Sequence, residues 1–148
     1  MGNLGLLVFA LVAGALVPLQ LAFNGQLGGV TKNAFSASLV VFLVGTVALS
    51  AILLVMRPQL PTVEQLLSAP KTIWLGGLIA TFYIIAVVTI TPRLGVGLTV
   101  SLILVGQLCA GLLLDHLGAF GNPQHNFTLL RAAGLSMMIG GIVLITKF

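Results

Sequence analysis

Two amide side chains, Gln20 and Asn24, lie four residues apart in the stretch "VPLQLAFNGQLGG", which is otherwise largely apolar. If this stretch is helical, a spacing of four places both amides on one face. Amides donate and accept hydrogen bonds, so they can hold a polar solute without carrying charge. Pro18 removes one backbone donor and can bend a helix, which leaves carbonyl groups available. We interpret the pair as the polar wall of a cavity; the alternative is that both amides bond only to neighbouring helices or to lipid headgroups.

A second polar series consists of Gln107, Gly111 and Asp115, again at spacings of four. Gly111 has no side chain and leaves room between the two polar groups. Gln20, Asn24, Gln107 and Gly111 are therefore our candidate substrate-binding residues. Asp115 is either an ionised, solvated carboxylate at a membrane edge or a coupling residue that exchanges a proton. The adjacent His116 can titrate as well, but the sequence shows no partner for it.

The composition identifies the medium that surrounds these residues. Of 148 residues, 59% are hydrophobic and 5% are charged, and the mean hydropathy is +1.23. Soluble domains carry about 25% charged residues, so this chain cannot cover a surface that faces water. Its main partner is expected to be the lipid bilayer. The net charge of +4 is scattered and forms no basic patch, which argues against nucleic-acid binding.

No motif for catalysis is visible in the sequence. The glycine pairs lack the remainder of a Walker or dinucleotide signature, and no His, Cys or acidic cluster has metal-ligand spacing. No arrangement of a nucleophile with a base is present either. We expect a protein that is not an enzyme and that has no metal site and no cofactor.

The hydropathy pattern predicts five membrane spans. A bilayer core of about 30 Å needs roughly 20 apolar residues in a helix. No segment alternates apolar and polar residues as barrel strands do. The first span lacks a charged leader, so we expect it to be a retained helix rather than a cleaved signal peptide. The sequence predicts an all-α membrane protein with a single transmembrane domain (1–148) and spans at residues 4–23 with an extension to 29 left open, 34–56, 73–91, 94–114 and 129–146.

The connecting segments carry recognisable local signals. Thr62 followed by Gln65 fits a capping box at the start of a short helix. "TPRLG", from Thr91 to Gly95, predicts a tight turn that makes the third and fourth spans a hairpin. "DHLGAFGNPQHN", residues 115–126, is predicted to be the last loop. Trp74 lies at a span boundary, where an indole anchors a helix in the membrane interface.

The cations give no clear orientation in the membrane. Five spans place Arg57, Lys71 and Arg131 on one face, and Lys32, Arg93 and Lys147 on the other. Lys and Arg normally mark the cytoplasmic face. Either another feature fixes one orientation, or the chain has dual topology and opposite copies form an antiparallel homodimer of ten helices, the inverted-repeat arrangement of many transporters. A paralogous opposed subunit would complete the same architecture.

Opposite orientation would bring the two polar series together. In an antiparallel pair, Gln20 and Asn24 of one copy lie at the same membrane face as Asp115 of the other. On the fifth span, small residues follow one another at spacings of four, which lets helix backbones approach closely in lipid. This stripe serves either as a dimer seam or as packing within the chain, and its members are Ala132, Ser136 and Gly140.

An ordered set of short motifs covers nearly the whole chain. They are "GALVPLQLAFNGQLG", "WLGG", "TPRLGVG", "VGQLCAGLLLDHLGAFG" and "RAAGLSMMIGGIVLI". This set resembles the YdcZ-type family, which belongs to the drug/metabolite transporter superfamily. The small multidrug resistance proteins are more distant relatives with four helices. The resemblance implies five helices, a bacterial inner-membrane location, export of a small molecule, and relatives that occur as opposed pairs or fused ten-helix chains.

The chain departs from the small multidrug resistance proteins at one functional position. Those proteins carry an essential glutamate in their first helix, whereas the first span here contains amides and no acid. We therefore expect a neutral or zwitterionic metabolite, or a drug-like molecule, rather than a lipophilic cation exchanged for protons. The predicted function is a secondary exporter with alternating access at the interface of an inverted dimer. A small dual-topology ion channel and a non-transporting accessory subunit are the alternatives.

Overall fold

The computed structural model describes residues 2–121 and 123–147 of the chain, and it is 87% helical. No β-strand occurs in these two ranges. Five helices are long and apolar enough to cross a membrane, which confirms the predicted all-α fold with five spans. The helices are α1 (Asn3–Thr31), α2 (Ala34–Met56), α3 (Val63–Ser68), α4 (Leu75–Leu94), α5 (Val96–Leu117) and α6 (Leu129–Lys147), and 3₁₀ turns cover Lys71–Trp74 and Ala119–Gly121.

The contacts between residues group the chain into two compact units, Met1–Arg93 and Leu94–Phe148. In the first unit α1 packs against α2, and in the second α5 packs against α6. Most large apolar side chains are not covered by protein, as expected for helices whose solvent is lipid. The predicted single transmembrane domain stays a prediction.

The connection between α1 and α2 consists of two residues, Lys32 and Asn33. α1 runs unbroken through Pro18 and extends to Thr31, beyond the residue at which the sequence left its end open. Lys32 then takes a left-handed conformation with φ of 53°. Asn33 Oδ1 accepts hydrogen bonds from the backbone N–H groups of Phe35 and Ser36, at 2.9 and 3.1 Å. This N-cap satisfies donors that the first turn of α2 would otherwise leave unpaired.

The core of the first unit is small and follows helical spacing. On α4, Ile84, Val87, Val88 and Thr91 are buried, a pattern of i, i+3, i+4 and i+7. Ala37 of α2 packs with Ile84 and Val88 at the centre of this core. The corresponding stripe on α1 consists of Leu21, Asn24 and Gly25.

The predicted capping box is confirmed at the start of α3. Gln65 N–H donates to Thr62 Oγ1 at 3.2 Å, and Thr62 N–H donates to Gln65 Oε1 at 2.9 Å. The two reciprocal bonds satisfy two free donors, which lets a helix of only six residues form in the second connection.

Two predicted loops begin later than the sequence suggested. Thr91, Pro92 and Arg93 belong to α4, and the only residue between α4 and α5 is Gly95, whose φ is +80°. A proline is tolerated there because membrane helices accommodate the freed carbonyl locally. The predicted pairing of these two spans stays a prediction.

The last predicted loop is also shorter than expected. Asp115 and His116 lie inside α5, which continues to Leu117 and ends at left-handed Gly118. A glycine is suited to this C-terminal position because it has no Cβ to clash at positive φ. Asn122, which was predicted to lie in this loop, falls outside the described residues.

Candidate functional site

Asn24 is buried on α1, with 7% of its surface exposed. Its side-chain nitrogen, Nδ2, has no hydrogen-bond partner among the described residues. Gln20 is exposed, so only one of the two amides that the sequence placed together is covered by protein within the chain. A spacing of four in an α-helix leaves about 40° between two side chains, and this offset separates them at the edge of a narrow buried stripe.

Two glycines allow α1 and α4 to approach closely beside Asn24. A Cβ atom built on Gly28 would lie 2.6 Å from Val88 Cγ1 and 3.4 Å from the Val88 carbonyl oxygen. A Cβ on Gly25 would lie 3.5 Å from Thr91 Cγ2. The neighbouring Gly29 meets nothing within 4 Å, so the close approach is confined to one face of α1.

Thr91 is a candidate site residue that the sequence analysis missed. Its side chain is 4% exposed, and its hydroxyl has no hydrogen-bond partner in the described part of the chain. By contrast, Thr89 donates to the carbonyl oxygen of Ile85 at 2.7 Å, as hydroxyls in membrane helices commonly do. Thr91 was predicted to lie in a turn because Pro92 and Gly95 follow it. Its place at i+7 from Ile84 was the signal that could have found it.

Asn24 and Thr91 each carry a buried polar group without a partner among the described residues, and we call this pair of residues the Asn24–Thr91 site. A Cβ on Gly25, the residue that follows Asn24, would lie 3.5 Å from Thr91 Cγ2, so Thr91 lies next to this part of α1. Asn24 Nδ2 can only donate a hydrogen bond, and the Thr91 hydroxyl can donate one as well. A buried polar group without a partner costs about 1–3 kcal/mol. A solute that offers oxygen acceptors would relieve this cost.

A cavity of about 270 Å³ lies where α1 ends, α2 begins and α4 ends, and we call it the helix-end cavity. Gly28 and Val88 form part of its wall, next to the close contact described above. Its polar lining residues are Lys32, Asn33, Thr89 and Arg93. This volume is near the lower limit for small-molecule sites.

The second polar series lies in the other unit, on α5. Gln107 is exposed, and a Cβ on the half-buried Gly111 would meet nothing within 4 Å. The Asp115 side chain is 44% exposed, and its Oδ2 lies 3.7 Å from Arg131 Nη1 of α6. This ion pair, which was not predicted from the sequence, links the end of α5 to the start of α6.

His116 has a structural partner that the sequence did not show. Its ring atom Nδ1 accepts a hydrogen bond from the Phe127 N–H at 3.2 Å, and its carbonyl oxygen accepts one from Gln124 Nε2 at 2.9 Å. The His125 N–H donates to the carbonyl oxygen of Asp115 at 2.8 Å. The loop that precedes α6 is therefore folded onto the C-terminal end of α5.

The chain matches, over residues 5–144, the family described as "Putative inner membrane exporter, YdcZ". It belongs to this family. The match spans all five membrane helices. This finding confirms the resemblance and, with five apolar helices, a multi-pass location in the inner membrane. No protein of curated function and no solved structure matches the chain.

The remaining residues that the sequence singled out in this YdcZ-family protein, the small-residue stripe and Trp74, are exposed or only half-buried. Ser136 and Gly140 of the small-residue stripe are exposed and Ala132 is half-buried; a Cβ on Gly140 would meet nothing within 4 Å. Trp74 is 56% exposed at the start of the third span. Among the residues described, no group of three or more His, Cys, Asp or Glu side chains could hold a metal ion.

Proposed function

We propose that this YdcZ-family protein is a secondary exporter that binds a small metabolite or drug-like molecule at the Asn24–Thr91 site. The observation that carries the proposal is the pair of buried hydrogen-bond donors without partners, Asn24 Nδ2 and Thr91 Oγ1. A solute with carbonyl, hydroxyl or carboxylate oxygens offers what these groups lack. Family membership supports export, and the amides suit a neutral or zwitterionic solute.

The proposed mechanism is alternating access within an inverted dimer. Gln20 and Gln107 are exposed on membrane-spanning helices, where an amide that faces lipid is costly. An opposed copy, or an opposed paralogous subunit, would cover them and complete a shared pocket that includes Gly111. The equal number of cations on the two sides supports both orientations of the chain. The uncovered stripe that includes Gly140 supplies a surface for close helix contact between copies.

Asp115 has two possible roles in this mechanism. Its ion pair with Arg131 supports a structural role, in which it fastens α5 to α6. The alternative is that Asp115 exchanges a proton and couples export to a proton gradient. The structural role is our proposal, because the carboxylate already has a cationic partner within its own unit.

Counterflow in proteoliposomes tests the binding site. Vesicles are loaded with one member of a panel of amino acids, hydroxy acids and sugar phosphates, and uptake of the labelled compound is measured. We expect saturable counterflow by the wild-type protein, at least a tenfold loss in Asn24→Ala and Thr91→Val, and little change in Gln26→Ala. Gln26 is the matched control because it is an exposed amide on the same helix, six residues after Gln20 and therefore on a different face.

The same assay separates the alternative functions. An ion current that does not saturate would favour a channel, and no flux across the whole panel would favour an accessory subunit. Gln20→Ala and Gln107→Ala should abolish transport while the dimer still forms. Wild-type activity of both variants at equal expression would contradict the shared pocket.

Paired reporters on the C-terminus test the architecture. A phosphatase reporter is active outside the cytoplasm and a fluorescent protein is active inside it. Dual topology predicts that both fusions are active at comparable expression. If only one fusion is active and no opposed subunit copurifies, the inverted dimer is contradicted. The counterflow assay would still test export independently.

A further inference from the structure

We propose that the helix-end cavity is a binding site for an anionic phosphate group, carried either by a phospholipid headgroup or by a soluble phosphate ester. Lys32 and Arg93 both line this cavity, and neither forms an ion pair within the described residues. Two cations that face one cavity repel each other, and an anion bound between them would relieve this repulsion. Arg and Lys are also the side chains that proteins use most for phosphate, Arg as a fork and Lys as a point charge.

No acidic side chain of the first unit is placed to neutralise this pair. The acid in that unit is Glu64, and the 23 residues of α2 separate it along the chain from Lys32. At 1.5 Å per residue α2 is about 35 Å long, and Glu64 follows the far end of this helix. Within the described residues, Glu64 forms no ion pair with Lys32 or Arg93.

The backbone of both cationic residues is held in place, whereas their exposed side chains can adjust. Lys32 is fixed between Thr31, whose hydroxyl donates to the Leu27 carbonyl oxygen at 3.0 Å, and Asn33, which caps α2. Arg93 follows Pro92 in the last turn of α4, directly beside the contact with α1. A site built on helix ends needs only its side chains to adjust when a ligand binds. The first N–H groups of α2 are already used by Asn33, so recognition comes from the two cations.

The length of α1 places the cavity at the level of the lipid phosphates. α1 has 29 residues and is about 43 Å long, whereas the hydrocarbon core is about 30 Å thick. One end of this helix, which leads into Lys32, can therefore reach the headgroup layer. A soluble phosphate ester can reach the same position from the water, so the chemistry of the site is shared by both sources.

The test measures binding directly and requires no transport. In the first experiment, the purified full-length protein in detergent is titrated with phosphatidylglycerol or phosphatidylcholine, and native mass spectrometry measures the bound lipid. In the second, it is titrated with inorganic phosphate or glycerol 3-phosphate, and calorimetry measures binding. Phosphatidylglycerol alone binding to the wild type assigns the site to an anionic lipid headgroup. Binding of the soluble phosphates assigns it to a solute.

Two double variants decide whether the cavity is responsible. Lys32→Gln/Arg93→Gln should bind the same probe at least tenfold more weakly than the wild type. Arg57→Gln/Lys71→Gln removes the same charge from other exposed positions of the unit and should change binding less than twofold. Lys32→Arg keeps the charge and should keep the affinity. An unchanged thermal unfolding midpoint of Lys32→Gln/Arg93→Gln excludes a folding defect as the cause of its loss.

Two results would overturn the proposal. One is the absence of binding by every probe, and the other is an equal loss in the two double variants, which would indicate general attraction to a cationic surface. Because transport is not measured, either result leaves the export proposal to be judged by counterflow. Conversely, a protein that exports nothing can still bind phosphate at this cavity.

Discussion

Gly28 of α1 lies so close to Val88 of α4 that a Cβ atom on Gly28 would approach Val88 Cγ1 to 2.6 Å. Val88 is β-branched and 3% exposed, so it has little freedom to move aside. We expect Gly28→Ala to destabilise the first unit by about 1–3 kcal/mol, the usual cost of overpacking a core. Thermal unfolding in detergent, followed by circular dichroism, measures this effect.

Gly29→Ala is the matched control, because a Cβ at Gly29 meets nothing within 4 Å. Alanine at an open helical position is favoured over glycine by up to about 1 kcal/mol. The control should therefore be as stable as the wild type or more stable. Equal destabilisation by both variants would contradict a close contact specific to Gly28.

Thr91→Val is expected to stabilise the protein while it reduces transport. Valine has nearly the shape of threonine and removes a buried hydroxyl that has no partner. Such a replacement should raise the free energy of unfolding by up to about 1 kcal/mol. The comparison is Thr89→Val, which breaks the bond to the Ile85 carbonyl oxygen and should not stabilise. A less stable Thr91→Val would show that the hydroxyl is satisfied in the folded protein.

Gly140→Leu is expected to weaken the proposed dimer and to leave the fold of the single chain intact. Gly140 is exposed, and an added Cβ meets no atom within 4 Å in the described part of the chain, so we expect a clash of the leucine to come from another molecule. Gly141→Leu is the control on a different face of α6, where the added Cβ also meets nothing. Single-molecule photobleaching in bilayers measures the dimer fraction. Equal dimerisation of the two variants would remove this stripe from the interface.

His116→Ala is expected to loosen the loop before α6. The ring of His116 holds the Phe127 N–H at 3.2 Å, and losing one hydrogen bond costs about 1 kcal/mol. The Phe127 amide should therefore exchange its hydrogen about fivefold faster. His125→Ala is the control, because His125 bonds the Asp115 carbonyl oxygen of α5 through its backbone N–H, which the substitution keeps. Unchanged exchange at Phe127 in His116→Ala would show that the ring does not hold the loop.

Asp115→Asn is expected to have a small effect on stability and none on the response of transport to a pH gradient. The ion pair with Arg131 is partly exposed, and such pairs contribute about 0–1 kcal/mol. Arg131→Gln should cost slightly more, because Arg131 also donates to the His125 carbonyl oxygen at 3.4 Å. Loss of gradient-driven transport in Asp115→Asn, with counterflow retained, would instead assign the coupling role to Asp115.

The membrane spans could be predicted from the sequence because composition and length determine them. A helix that faces lipid needs little more than an apolar run of sufficient length, and the second span begins and ends at the residues expected, Ala34 and Met56. The predicted end of the third span at residue 91 was wrong, because Pro92 and Gly95 were both taken as helix breakers, whereas α4 continues to Leu94. Only the glycine ends the helix.

The polar site was harder to predict, because burial depends on which helix lies opposite. Spacing alone could not show that Asn24 is buried while Gln20 is exposed. It could not distinguish Gly28, which touches Val88, from Gly29, which touches nothing. These differences arise from the contact between α1 and α4, and a single sequence contains no information on that pairing.

The two-residue connection between α1 and α2 limits how this protein can change shape. Asn33 is bonded to both helices: its carbonyl oxygen accepts a hydrogen bond from the Thr31 hydroxyl of α1, and its side-chain oxygen accepts one from the Phe35 N–H of α2. We expect α1 and α2 to move together as one rigid pair, so a solute bound as proposed at Asn24 would move with them. Bending of the protein is then expected in other parts of the chain.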